Sequence, residues 1–118
     1  MNVKSVECEV ERLLAVIGGK WKVLILRELF QSPRRHAQIR KALPGISQKV
    51  LTAQLRELEL DGAVARRDFH AKRPHVEYSL TPFGEQLRGL ILEMHNLAMK
   101  SCDVLKRRPT AGRFAKAA

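Results

Sequence analysis

Residues 44–62, PGISQKVLTAQLRELELDG, constrain this chain more than any other segment. Proline and glycine open a tight turn, Ser47 offers an N-cap, and Ile46 and Leu51 then fall at the N′ and N4 positions of a hydrophobic staple. Gly62 supplies the stop. Advancing about 100° per residue from Leu51, Leu55 and Leu58 stay within about 40° of it and make a stripe that has to be buried. Thr52, Arg56 and Lys49 fall near roughly 100°, 140° and 160°, with Ala53 near roughly 200°. The outward face is therefore cationic and hydrogen-bonding, with a small residue in its middle.

Charge bears on what that face meets. The chain has 118 residues, with 22 Lys and Arg against 12 Asp and Glu, a net charge of +10. Such a balance favours a polyanionic partner, either nucleic acid or an anionic membrane surface. The length and the 45% hydrophobic content fit one domain with a modest core, of a size that gains stability from a partner subunit. No apolar run approaches the roughly 20 residues of a membrane span. The opening MNVKSVECEVER is polar where a signal peptide would be apolar, so the expectation is a cytoplasmic protein with no membrane partner. In that compartment Cys8 and Cys102 are expected as reduced thiols.

The remaining periodicities supply neighbours for the central helix. Val6, Val10, Leu13, Leu14 and Ile17 recur at helical spacing and predict a first amphipathic helix, ended by Gly18 and Gly19. Residues 20–30, KWKVLILRELF, are apolar almost all round and predict the most buried helix. Residues 36–43 predict a short helix with Ile39 and Leu43 on one face. After Gly62 the period changes. AVARRDF and HVEYSLT flank a basic turn holding Lys72, Arg73 and Pro74, which predicts a two-stranded hairpin. Val64 and Phe69 do not share one alternation, so a bulge or an early strand end is expected. Thr81 and Pro82 form an N-cap and N1 pair. From there Leu87, Leu90, Ile91, Met94, Leu97, Ala98, Cys102 and Leu105 make a stripe that predicts a helix reaching about Lys106, too long for so small a domain to cover. The domain is expected over residues 1–106, with a basic, disordered tail over residues 107–118.

Short helix, glycine turn and second helix together read as a helix-turn-helix, and the basic hairpin makes it winged. The fold class is mainly α with a small β-hairpin wing. The residues expected to read bases are Gln48, Lys49, Thr52, Ala53 and Arg56, because Arg or Lys reaches guanine edges and Gln reads adenine in a major groove that admits a helix. Helix charges are often merely solvated. The tight turn, the basic hairpin and the net charge argue jointly for a double-stranded DNA partner.

At this point the chain resembles the HxlR-type winged helix-turn-helix transcriptional regulators of bacteria. The resemblance rests on Cys8, the IGGKW block at residues 17–21, residues 44–62, and VEYSLT with a following glycine at residues 76–84. It implies a DNA-binding homodimer that acts as repressor or activator, with the first and last helices at the dimer interface: Val10, Leu13, Leu87, Leu90, Ile91, Met94, Leu97 and Ala98. The long apolar stripe agrees, since a twofold partner supplies the surface it lacks. Twofold symmetry sets two recognition helices about 34 Å apart on an inverted repeat. Two departures from the family pattern are Glu9, where proline often follows the cysteine, and His36, where an aromatic often follows the Arg pair.

Arg34, Arg35, Arg40, Lys41 and Ser47 are expected at phosphates, with Lys72 and Arg73 gripping flanking phosphate from the wing. Some members of the family sense oxidants or electrophiles through the N-terminal cysteine, which makes Cys8 a candidate sensor, with Cys102 of the other subunit as a candidate disulfide partner. A helix N-terminus lowers a thiol pKa and Glu7, Glu9 and Glu11 raise it, so the sequence leaves the sign open. Inert thiols are the competing reading. His36, His70, His75 and His95 match no zinc spacing, and neither metal nor cofactor is expected. No catalytic constellation stands out, so an enzyme is not expected. The alternative function is a winged module for protein or RNA. Surface charge at Lys49 and Arg56 disfavours protein docking, and 5% aromatic content offers little stacking surface for single-stranded RNA.

Overall fold

The structure, a computed structural model, describes the backbone of residues 3–107 and the side chains of residues 8–107; the tail from residue 108 onward lies outside the described residues. Val3–Ile17 forms α1 and Trp21–Leu29 forms α2, separated by the glycine pair. Ile25 and Leu26 of α2 are wholly buried at the centre of the core. His36–Ala42 is α3 and Gln48–Leu60 is α4. Ser47 caps α4 as its sequence predicts, its Oγ accepting the Val50 N–H at 3.0 Å. Both staple residues, Ile46 and Leu51, are buried, as are Leu55 and Leu58.

One charged side chain sits inside this packing. Lys22 Nζ lies 2.8 Å from Glu57 Oε2 and donates to the Ala15 carbonyl at 3.4 Å. It links α1, α2 and α4 through a single ammonium, whose burial is tolerable because it is paired and hydrogen-bonded.

Val64–Asp68 is β1 and Val76–Leu80 is β2, antiparallel in unbroken register from Val64↔Leu80 to Asp68↔Val76. Of the two expected alternatives the early strand end occurs. The Asp68 carboxylate accepts the His70 N–H at 2.8 Å, and His70 turns to a φ of 51°, which diverts the chain after Phe69. The same N–H holds the Asp68 carboxyl below its ordinary range. β2 is bonded on its other edge too: Arg34 N–H donates to the Tyr78 carbonyl at 3.0 Å and Tyr78 N–H to the Arg34 carbonyl at 2.8 Å. No periodicity announces that bridge, because a single residue pair carries it.

Pro82–Lys100 is α5 and Cys102–Lys106 is α6. The single helix expected to about Lys106 is thus divided at Ser101, whose φ of −105° and ψ of 23° leave the helical region. Serine is a weak helix former that competes for backbone hydrogen bonds, whereas the apolar stripe passes through the break without a change of spacing. A second correction concerns Leu87 and Ile91. Both are buried in the protomer's own core, at 2% and 5% exposure, and are not free for a partner. Two turns of α5 are needed to roof α2, so the outward-facing part of the stripe begins later.

Candidate nucleic-acid interface

The turn before α4 sets the geometry. Leu43 and Ile46 are buried on either side of it, Ile46 N–H donates to the Leu43 carbonyl at 3.2 Å, and Gly45 takes a φ of 94° that favours glycine. A Cβ on Gly45 would reach 3.9 Å from the Trp21 ring, so the indole forms the floor of the turn. Trp21 is a core residue. With Leu51, Leu55 and Leu58 turned inward, Gln48, Lys49, Thr52, Ala53 and Arg56 all lie exposed.

α3 brackets that face. Its first residue, His36, places Nε2 3.0 Å from Thr52 Oγ1, joining the two helices on the solvent side. Partial burial and the Arg40 charge hold the imidazole below the ordinary histidine pKa, with the Gln48 backbone opposing them. Gln38 Oε1 accepts the Arg35 N–H at 2.8 Å, fixing the start of α3. Arg35, Arg40 and Lys41 are exposed around it. Arg34 is less open than these three. It is half-buried, and its Nη2 donates to Gln31 Oε1 at 2.9 Å.

The wing carries Lys72 and Arg73 exposed in its turn. Its base is stiffened by a stack: Phe69 and His75 ring centroids lie 4.3 Å apart, the Arg67 guanidinium covers Phe69 at 4.4 Å, and His75 Nε2 meets Glu77 Oε2 at 2.7 Å. Arg66 and Arg67 add two exposed cations on β1 that attention to the turn alone passes over. Their signal is the adjacent RR pair inside a strand, which must send one side chain to each face. Cys8 and Cys102 are free and exposed. Among the described residues no group of three or more His, Cys, Asp or Glu could hold a metal ion, and no helix is long and apolar enough to cross a membrane.

Residues 16–106 match the HxlR-like helix-turn-helix family. The chain belongs to that family. As an HxlR-like protein it is 44% identical over 99 residues to YybR, an uncharacterized HTH-type transcriptional regulator of Bacillus subtilis, covering 84% of this chain and 79% of that one. It is 46% identical over 96 residues to YdeP of the same bacterium, covering 81% and 75%. Among solved structures it is similar to the redox regulator HypR in its reduced form, with a TM-score of 0.79, 43% identity, and coverage of 85% of this chain and 99% of that one. The HxlR-like match begins after Cys8 and so leaves that thiol outside it, while taking in both helices of the helix-turn-helix, the wing, α5 and α6.

Proposed function

We propose that this HxlR-like transcriptional regulator binds an inverted-repeat DNA operator as a homodimer, each α4 lying in a major groove. One observation carries the reading: a single helix buries Leu51, Leu55 and Leu58 while leaving Gln48, Lys49, Thr52, Ala53 and Arg56 exposed between two basic flanks. Arg56 and Lys49 are the strongest base readers, because a long cation can donate to guanine O6 and N7. Changing either to alanine is expected to reduce discrimination at one base position by about 1–3 kcal/mol, measured by titrating operator and single-base variants. Binding equal to random DNA, unaffected by both changes, would refute it and favour a winged module for other partners.

Arg35, Arg40, Lys41, Lys72 and Arg73 serve the phosphates, together with the Ser47 end of α4. Arg34 contributes mainly by tying the wing to α3. Neutralising any one of the exposed five is expected to weaken binding to all sequences alike. The slope of log affinity against log salt should become shallower by about one unit, which a titration across salt concentrations reads directly.

A redox response is the second element of the reading, supported by two exposed thiols and by similarity to HypR, a protein described as a redox regulator. In it, Cys8 of one subunit and Cys102 of the other lose two protons and two electrons to a peroxide-class oxidant and join as a disulfide. Selecting bound fragments from genomic DNA with and without reductant tests symmetry and thiol dependence together. A palindromic site recovered equally under both conditions would retain the dimer and discard the thiol switch.

A further inference from the structure

Thr52 is the one proposed base reader whose side chain is already bonded to another helix. Its Oγ1 lies 3.0 Å from His36 Nε2, across a separation of sixteen residues. A helical threonine divides between two χ1 rotamers, because its hydroxyl can also turn back to the carbonyl of the preceding turn. Thr52 is exposed, so core packing does not choose between them. The bond to His36 does. With the hydroxyl held by His36, the γ-methyl is the Thr52 group left without a partner, and Ala53 beside it in sequence is exposed as well.

We propose that His36 is a positioning residue for DNA readout: by holding the Thr52 hydroxyl it turns the Thr52 methyl toward the groove and makes α4 select a thymine. The inference rests on the reading of Thr52 as a base contact. The chemistry it predicts is specific, since thymine differs from uracil only in the 5-methyl group that a side-chain methyl can touch in the major groove.

The experiment uses the full chain and its selected operator, with each thymine replaced in turn by deoxyuridine. One replacement in each half-site is expected to lower affinity by about fourfold, the value of one buried methyl group. Thr52→Ala should abolish that sensitivity. His36→Phe, which keeps a flat ring but cannot bond the hydroxyl, should shrink it toward unity. The double variant His36→Phe/Thr52→Val should restore it, because valine presents a methyl at the same place with no hydroxyl to anchor, and its recovery also shows that His36→Phe folds. Methyl sensitivity that survives Thr52→Ala, or is absent throughout, overturns both the base contact and the inference. Sensitivity lost in Thr52→Ala yet intact in His36→Phe overturns the positioning role alone.

Discussion

Replacing Gly84 with alanine is expected to destabilise the domain by about 3 kcal/mol or more, at the upper end of what overpacking usually costs. A Cβ there would lie 2.2 Å from the Ala63 carbonyl oxygen, and 3.1 and 3.2 Å from two side-chain carbons of Leu80. That oxygen cannot step aside freely, because it accepts the Thr81 N–H at 3.1 Å and belongs to a wholly buried residue. The corner is also where the functional elements meet. Thr81 Oγ1 bonds the Gly62 carbonyl at the end of α4 and accepts the Gly84 N–H at the start of α5, while its backbone leaves β2. Disturbing it moves α4, the wing and α5 together. Gly89 is the internal control. A Cβ on Gly89 has nothing within 4 Å, so Gly89→Ala should stabilise by about 0.5–1 kcal/mol through better helix propensity alone. Denaturant midpoints at constant slope read both effects, and equal midpoints for the two variants would refute the account.

Leu97→Glu is expected to turn the proposed dimer into monomers and to lower operator affinity by about 10²–10⁴-fold. That is the range lost when two linked half-site contacts become independent ones. Leu97 is 65% exposed in the protomer, on the part of α5 that has passed beyond the core. Met94 and Ala98 are exposed on the same stripe of α5, and Leu105 of α6 and Val10 and Leu14 of α1 are exposed as well. A glutamate at 97 removes nothing from the protomer's interior, yet buries a charge in any seam formed by this face. The contrast is Leu87→Ala, which opens a cavity in the protomer's own core and should act on stability first. Sedimentation and titration of a two-half-site and a one-half-site duplex separate the two. An intact dimer of Leu97→Glu, or unchanged affinity for both duplexes, would remove α5 from the interface.

Much of the architecture is legible in short-range patterns. The cap and staple around Ser47, the inward leucines of α4, the hairpin after Gly62 and the start of α5 at Thr81 each depend on residues within one or two turns of one another, and each occurs where spacing places it. Contacts between distant residues were not legible. The Lys22–Glu57 pair, the Arg34–Tyr78 bridge and the His36–Thr52 bond join residues that no helical or strand period relates. The apolar stripe on α5 misled in one respect for the same reason. Its periodicity is identical for Leu87 and Leu97, but only the positions of α2 and the rest of the core make the first interior and the second surface.

Sequence alone determined which face of each helix is apolar, where α4 begins, and that its outward side is cationic, because those properties follow from side-chain chemistry taken at about 3.6 residues per turn. Tertiary structure alone decided which outward groups are already occupied. It bridged the Arg34 backbone to Tyr78, tied the Thr52 hydroxyl to His36, and left Leu97 uncovered. Those outcomes depend on distances between elements, which arise only when the whole core closes.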